Sequence, residues 1–319
     1  MDEAVILGDI GGTNARFALL RGGGIAATKW LAVADYPTIL GALEAYIASL
    51  GEEVRVAGAI LAAAGPVEEN RSSLTNSPWV VDGGELETRF GWPRVHVLND
   101  FAATAWALPE LAADALAPVG GGTAIPDRPA AVLGPGTGLG LACFLPTRVG
   151  PVVLDTEGGH VTLAALSPRE DAVIGRLRRR FGHVSAERVL SGAGLVNLHD
   201  TVAALDGIEV PERTPAEVMA AAQSARCPAS VAALDMFCRF LGDFAGNAAL
   251  TFGARGGVFI AGGIVPRAID HLRRSDFRER FEAKGRYQAY LSAIPTRVIT
   301  DPDPAFAGLR GLAAREFGV

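Results

Sequence analysis

The sequence predicts a duplicated, two-lobed α/β protein, and three observations predict it. The stretch Ile6–Leu20, ILGDIGGTNARFALL, is two apolar runs joined by a turn rich in Gly, Asp and Asn, the pattern of a β-hairpin. The stretch Gly134–Leu145, GPGTGLGLACFL, is entered from the apolar run Ala130–Leu133 and repeats the strand–Gly/Thr–strand pattern. Strand and helix patterns alternate through the rest of the chain, which gives the α/β class.

The elements follow in order. After the first hairpin, Leu31–Ala34 reads as a strand and Tyr36-Pro37 as the start of a helix, with Ile39, Leu40, Leu43, Ile47 and Leu50 at helical spacing. Val54–Ala64 reads as a buried strand closed by Gly65-Pro66, and Thr75–Trp79 as a polar turn. Glu85–Phe90 is a short helix ended by Gly91, Arg94–Leu98 a strand, and Phe101–Leu108 a helix. Pro109–Thr123, with its prolines and Gly120-Gly121-Gly122, marks a domain crossing near residue 110. The expected division is a small α/β domain over 1–110, joined by a C-terminal helix within 301–319, and a large α/β domain over 111–300.

In the second half, Gly150–Leu154 continues the meander and Arg169–Arg180 is an amphipathic helix whose arginines read as a solvated face. Ser185 reads as the N-cap of a helix over Ala186–Leu190, and Ser191–Gly194 as the turn into a helix over Leu195–Leu205. Pro215–Ala225 and Val231–Phe252 are helical. Gly256–Gly263 is a buried strand bracketed by glycines, and Pro266–Arg273 starts the next helix. Arg297–Ile299 is a last strand and Asp303–Phe317 a last helix.

Composition narrows the function classes. The chain has 319 residues, 49% hydrophobic and 20% charged, with a formal net charge of −6. That balance argues against nucleic acid as a partner. No apolar run approaches the ~18 residues of a membrane span, and MDEAVILGDIGG does not read as a signal peptide. Cys143, Cys227 and Cys238 lack metal spacing and sit in apolar settings, so reduced thiols and a cytoplasmic protein are expected. The only lysines are Lys29 and Lys284, and neither lies in a phosphate-type loop. Neither Gly/Thr turn is a Walker loop or a dinucleotide fingerprint. Phosphate here must be held by backbone N–H groups, hydroxyls, arginine and metal.

The turn Gly8-Asp9-Ile10-Gly11-Gly12-Thr13-Asn14 suits that task, because glycine lets the backbone approach a ligand and Thr and Asn add donors. A loose surface hairpin is the plainer alternative. Asp9 would repel phosphate unless a cation stands between them, which points to Mg²⁺ held through waters. Gly136-Thr137-Gly138 offers the second such turn. Asn99-Asp100 stands at a strand end before a helix, where ligands of open α/β sheets bind. Asp100 suits proton abstraction from a hydroxyl, and equally suits capping the helix. Glu157-Gly158-Gly159-His160 carries a carboxylate and an imidazole that suit neighbouring sugar hydroxyls, and without a third ligand it does not suit zinc. Glu187, in the first turn of its expected helix, is favourable with the helix dipole in any case. Gly262-Gly263 permits a flat ligand to lie on the backbone, or tight strand–helix packing.

Taken together, GDIGGTNARFAL, LNDFAATA, GPGTGLG, EGGH, HVSAERVLSGAGLVNL and GGVFIAGGIVPR resemble the bacterial glucokinases, in that order and along nearly the whole chain. The resemblance implies an actin-like, hexokinase-type, ribonuclease H-like fold with the active site in the interlobe cleft. It implies ATP-dependent phosphorylation of glucose at its 6-hydroxyl, with Mg²⁺. By that resemblance Gly8–Thr13 is the first phosphate loop, Gly134–Gly140 the second, and Gly262-Gly263 the adenosine region. Asn99, Asp100, Glu157, His160 and Glu187 match the sugar-binding positions, with Asp100 as general base. A homodimer is expected. The related repressor–kinase family carries a Cys-rich zinc motif after its Glu-x-x-His, which this chain lacks. Pro135 and Ala193 are mild departures from the family pattern. A kinase of the same fold for mannose or an N-acetylhexosamine, and a non-catalytic sugar sensor, are the rival readings.

Overall fold

The computed structural model describes residues 3–51, 54–74 and 77–318. The chain divides into two compact units, Met1–Ala112 with Asp301–Val319, and Ala113–Thr300.

The first unit is built on strands β1 (Ala4–Ile10), β2 (Asn14–Arg21) and β3 (Gly24–Ala32), helix α1 (Ile39–Ala48), and strand β4 (Val56–Ala63). A small three-stranded sheet follows, β5 (Val67–Glu68), β6 (Arg71–Ser73) and β7 (Val80–Asp82). Then come α2 (Gly83–Phe90), β8 (Arg94–Asn99) and α3 (Asp100–Ala107). The main sheet runs β3-β2-β1-β4-β8, with antiparallel pairs at β1/β2 and β2/β3 and parallel pairs at β1/β4 and β4/β8. β1 is central and apolar on both faces, as a strand covered on both sides must be.

The second unit opens with β9 (Leu116–Gly120), then β10 (Ala130–Pro135), β11 (Leu139–Leu145) and β12 (Val152–Thr156). Helices α4 (Pro168–Phe181), α5 (Gly192–Leu205), α6 (Pro215–Gln223) and α7 (Pro228–Phe252) lead to β13 (Gly257–Ile260). Short helices α8 (Ile269–Arg274), α9 (Phe277–Glu282) and α10 (Gln288–Ser292) precede β14 (Thr296–Ile299), and α11 (Pro304–Phe317) returns to the first unit. The sheet order is β12-β11-β10-β13-β14-β9. Its first five strands repeat the pairing of the first unit, two antiparallel pairs and then two parallel ones. The duplication expected from the two Gly/Thr turns is therefore a duplication of whole sheets.

The differences from the sequence reading have physical causes. The strand expected at Leu31–Ala34 belongs to β3 up to Ala32, and Val33–Asp35 is a 3-10 turn. The helix expected from Tyr36-Pro37 starts two residues later, because Thr38 is the cap and accepts from the Gly41 N–H. Thr75 and Asn76 of the expected polar turn lie outside the described residues. The short segment Ala186–Leu190 is no helix: Ser185 does accept from the Arg188 N–H (3.3 Å), but the chain turns at once into α5, capped by Ser191. The exposed Arg176, Arg178 and Arg179 of α4 form the expected solvated face. Glu170 on the same helix is fully buried and takes both nitrogens of Arg280 at 2.7 and 3.1 Å, while Arg280 also pairs with Asp243. Burial pushes the Glu170 carboxyl up, but the Arg280 hydrogen bond, the Leu166 N–H and nearby positive charge together bring it below the usual carboxylate range.

Candidate active site

In the first unit the register aligns the strand ends. Ile10 lies opposite Ala63, and Ala63 opposite Asn99. Two strand spacings put Ile10 and Asn99 about 10 Å apart on the same end of one sheet. The turn proper is Gly11-Gly12-Thr13, closed by the Gly11 N–H donating to the Asn14 carbonyl (3.0 Å), with Thr13 and Asn14 exposed. Gly8 and Ile10 do not belong to this turn. Gly8 is buried in β1, where a Cβ would stand 2.5 Å from the Leu61 side chain, and the Ile10 side chain is in the core with its carbonyl held by the Ala64 N–H. Asp9 faces Arg16 directly across the hairpin and is ion-paired to it. Arg16 pairs in turn with Asp303 and lies over the rings of Trp30 (4.5 Å) and Phe306 (5.3 Å).

Asn99 and Asp100 divide the work at the start of α3. Asn99 is the N-cap, accepting from the Phe101 N–H (2.8 Å) and donating to the Gly65 carbonyl (3.0 Å). Asp100 is the first helical residue, and its Oδ1 shares the Phe101 N–H at 2.9 Å. The helix therefore has a cap other than Asp100, and the Phe101 N–H fixes the direction of the Asp100 carboxylate.

In the second unit one network gathers the second turn, the Glu157–His160 segment and Glu187. Within Gly136-Thr137-Gly138 the Gly136 N–H donates to the Gly138 carbonyl (2.8 Å), and the Gly192 N–H donates to the Gly136 carbonyl (2.9 Å). Glu187 Oε2 accepts from the Leu139 N–H at 3.0 Å, and the Glu187 N–H donates to the Gly159 carbonyl at 2.9 Å. Gly158–His160 is a 3-10 turn whose glycines have no room for a side chain: a Cβ on Gly159 would lie 2.0 Å from the Leu139 carbonyl oxygen. Glu157 and His160 nonetheless point outward, their side chains 60% and 58% exposed, with Oε2 and Nε2 3.7 Å apart. Gly262 has φ +83°, and a Cβ there would come 2.4 Å from the Pro135 carbonyl oxygen, so β13 ends against the second turn.

Each unit thus brings its own residues together: Asp9, Gly11–Asn14, Asn99 and Asp100 in the first, Gly136–Gly138, Glu157, His160, Glu187 and Gly262-Gly263 in the second. Glu187 is corrected in role, from a helix-dipole position to a carboxylate that also holds the backbone of the second turn. The sequence reading missed Arg16. Counting outward from the turn of a hairpin would have found it, since Ile10–Ala15 and then Asp9–Arg16 are the pairs beside the turn. It also missed Gly192, whose N–H no side-chain signal announces.

Comparisons with known proteins agree along the whole chain. Residues 6–316 match the Glucokinase family. The chain is 48% identical over 314 residues to a glucokinase of Paramagnetospirillum magneticum, covering 98% of each. It superposes on the crystal structure of a glucokinase from an Antarctic psychrotroph with a TM-score of 0.89 and 35% identity, covering 100% of both. A glucokinase from Streptomyces griseus, solved with glucose and AMPPNP, shares the fold at a TM-score of 0.62 and 23% identity, over 99% of this chain and 100% of that one.

Proposed function

The chain belongs to the glucokinase family, and from that premise we propose that it transfers the γ-phosphoryl group of ATP to the 6-hydroxyl of D-glucose. The observation that carries this is the end-to-end match, whose range, residues 6–316, spans both Gly/Thr turns and the carboxylates described above. Asp100 takes the proton of the attacking hydroxyl, and the Phe101 N–H on its Oδ1 supports that orientation. Asn99, Glu157, His160 and Glu187 hydrogen-bond the remaining hydroxyls. The two Gly/Thr turns hold phosphate oxygens, and Gly262-Gly263 carries the adenosine. Positioning and charge stabilisation supply most of the rate in such a transfer.

Asp9 is the residue that would hold Mg²⁺. The donor set fits an ion that keeps its waters: one carboxylate at a strand end, one of whose oxygens is taken by Arg16, with no cluster of three His, Cys, Asp or Glu among the described residues. When bound, the ion neutralises charge on the phosphates. The protein is proposed to be cytoplasmic, in keeping with three free thiols. No helix among the described residues is long and apolar enough to cross a membrane. A homodimer is proposed as well. Its support is edge strand β12, which exposes Val152 and Leu154 on one face. Sedimentation of the purified protein tests it, and a monomer at micromolar concentration removes it.

The sugar is tested with kcat/KM for a panel at saturating Mg·ATP. Glu157 and His160 are proposed to read the C1–C2 side, and the packed Gly158-Gly159 turn beneath them cannot retreat from an added group. Glucose should exceed N-acetylglucosamine and N-acetylmannosamine by ~10²-fold or more, with mannose between. Comparable values would overturn glucose as the substrate and leave a sugar kinase.

A further inference from the structure

The three thiols of the chain differ in their surroundings. Cys143, in β11, is fully buried and donates to the Phe144 carbonyl; burial pushes its thiol up to about 11. Cys238, inside α7, is pushed up to about 12 by burial. Cys227 sits at the N-cap position of the 25-residue helix α7, with its Sγ 3.9 Å from His199 Nε2. His199 is fully buried, and its Nδ1 lies 3.0 Å from the half-exposed Asp200 carboxylate. That contact assigns the ring proton to Nδ1 and turns the bare Nε2 toward the thiol. The Ser230 hydroxyl, three residues along α7, is buried and has no hydrogen-bond partner among the described residues. Ser230 first, and then His199, outweigh burial and bring the Cys227 thiol down to about 7.

We propose that Cys227 is a peroxide-reactive thiol, with His199 as its proton acceptor and donor and Asp200 as the residue that positions His199. The thiol proton passes to Nε2. The thiolate sulfur attacks one oxygen of hydrogen peroxide, forming the S–O bond as the O–O bond breaks. The departing hydroxide takes the Nε2 proton and leaves as water. The sulfur loses two electrons and the peroxide gains them, so thiol and peroxide become sulfenic acid and water. Cys227 is buried but lies nearer the surface than the other two thiols, 8% exposed against 0% for Cys143 and 2% for Cys238, among the small side chains Ala203, Ala221 and Ala229. The inference is independent of the sugar-kinase reading and uses none of its residues.

The test exposes the full-length protein to hydrogen peroxide for timed intervals, removes the peroxide with catalase, and unfolds the protein into dimedone. Mass spectrometry then counts sulfenic acid at each cysteine. Cys227 is expected to react at least ~10-fold faster than Cys143 and Cys238. Equal rates at the three sites, or a slower rate at Cys227, overturn the proposal. When the peroxide step is done on protein already unfolded in urea, the three should react alike; a persistent advantage of Cys227 would trace to local sequence and overturn the role of the fold. Asp200→Asn, at an exposed position, should keep the melting temperature and slow Cys227 several-fold. An unchanged rate overturns the His199–Asp200 part.

Discussion

Between β1 and β2 the chain turns through Gly11-Gly12-Thr13, and between β10 and β11 through Gly136-Thr137-Gly138. Both turns join antiparallel strands, and both expose a threonine. Their supports differ. Beside the first stands a charge hub in which Arg16 joins Asp9 to Asp303 under two aromatic rings. The second is held by groups from distant segments: the Gly192 N–H, the Glu187 carboxylate that accepts from the Leu139 N–H, and Gly262 pressed on Pro135. A glycine-rich turn in a sequence says where a ligand can approach, and says nothing of what keeps the turn in place. Here one turn is flanked by ion pairs, and the other is held by a carboxylate, a backbone N–H and the close approach that glycine permits.

The sharpest division between the two sheets is catalytic. If Asp100, at the end of the first sheet, is the base, Asp100→Ala lowers kcat by roughly 10²–10⁴ with little change in the KM for ATP. Because Asn99 is the cap of α3, the variant should keep its melting temperature. Near-normal turnover in a stable variant would leave Asp100 without a catalytic role.

The next effect belongs to the second turn. Gly262→Ala places a methyl 2.4 Å from the Pro135 carbonyl oxygen at a left-handed φ. Strain and overpacking together cost about 2–4 kcal/mol. Urea unfolding measures it, and a loss under about 1 kcal/mol would show that the second turn yields more readily than its packing implies. Arg16→Ala is the matching change at the first turn. It leaves Asp9 and Asp303 without their shared cation and uncovers Trp30, for about 1–3 kcal/mol given the partial exposure of both carboxylates. If the first turn depends on charge, Arg16→Lys recovers part of that loss; if Arg16→Lys is as poor as Arg16→Ala, planar stacking on the rings is the larger contribution.

The contrast also marks what was legible in the sequence. The hairpins, the central apolar strands and the class of fold follow from apolar runs and glycine placement, which are local. Asn99-Asp100 and Glu157–His160 stand out in the sequence as polar pairs at a strand end and in a Gly turn, but helix capping and solvent exposure are equally local uses of such residues, and Asn99 is indeed the cap of α3. The supports are long-range. Glu170 looks like any charge in the first turn of a helix, yet it is buried on Arg280, 110 positions away. Glu187 looks like a helix-dipole residue, yet it holds Leu139, 48 positions away. Periodicity does not encode such partners. The expected helix at Ala186–Leu190 is only a single turn: the Arg188 and Val189 N–H groups bond three residues back and the Leu190 N–H four back to Ala186, and Ser191 then caps the next helix, so the five residues stop short of a nucleated helix.

The smallest effect separates holding a turn from using it. A Cβ on Gly136 meets no atom within 4 Å, and its φ lies outside the left-handed region. The fold therefore has room for alanine there, and stability should change by no more than about 0.5 kcal/mol. Gly136 is nevertheless on the proposed path of the nucleotide phosphates, where the backbone must come within hydrogen-bond distance of an oxygen. One methyl in that space should raise the KM for ATP by about tenfold, which is about 1.4 kcal/mol, and leave the KM for glucose unchanged. Gly262→Ala, acting through the fold, should instead lower the melting temperature and disturb the second sheet as a whole. A Gly136→Ala variant with wild-type stability and wild-type KM for ATP would remove the second turn from the phosphate site. A variant as unstable as Gly262→Ala would mean that Gly136 is kept for packing.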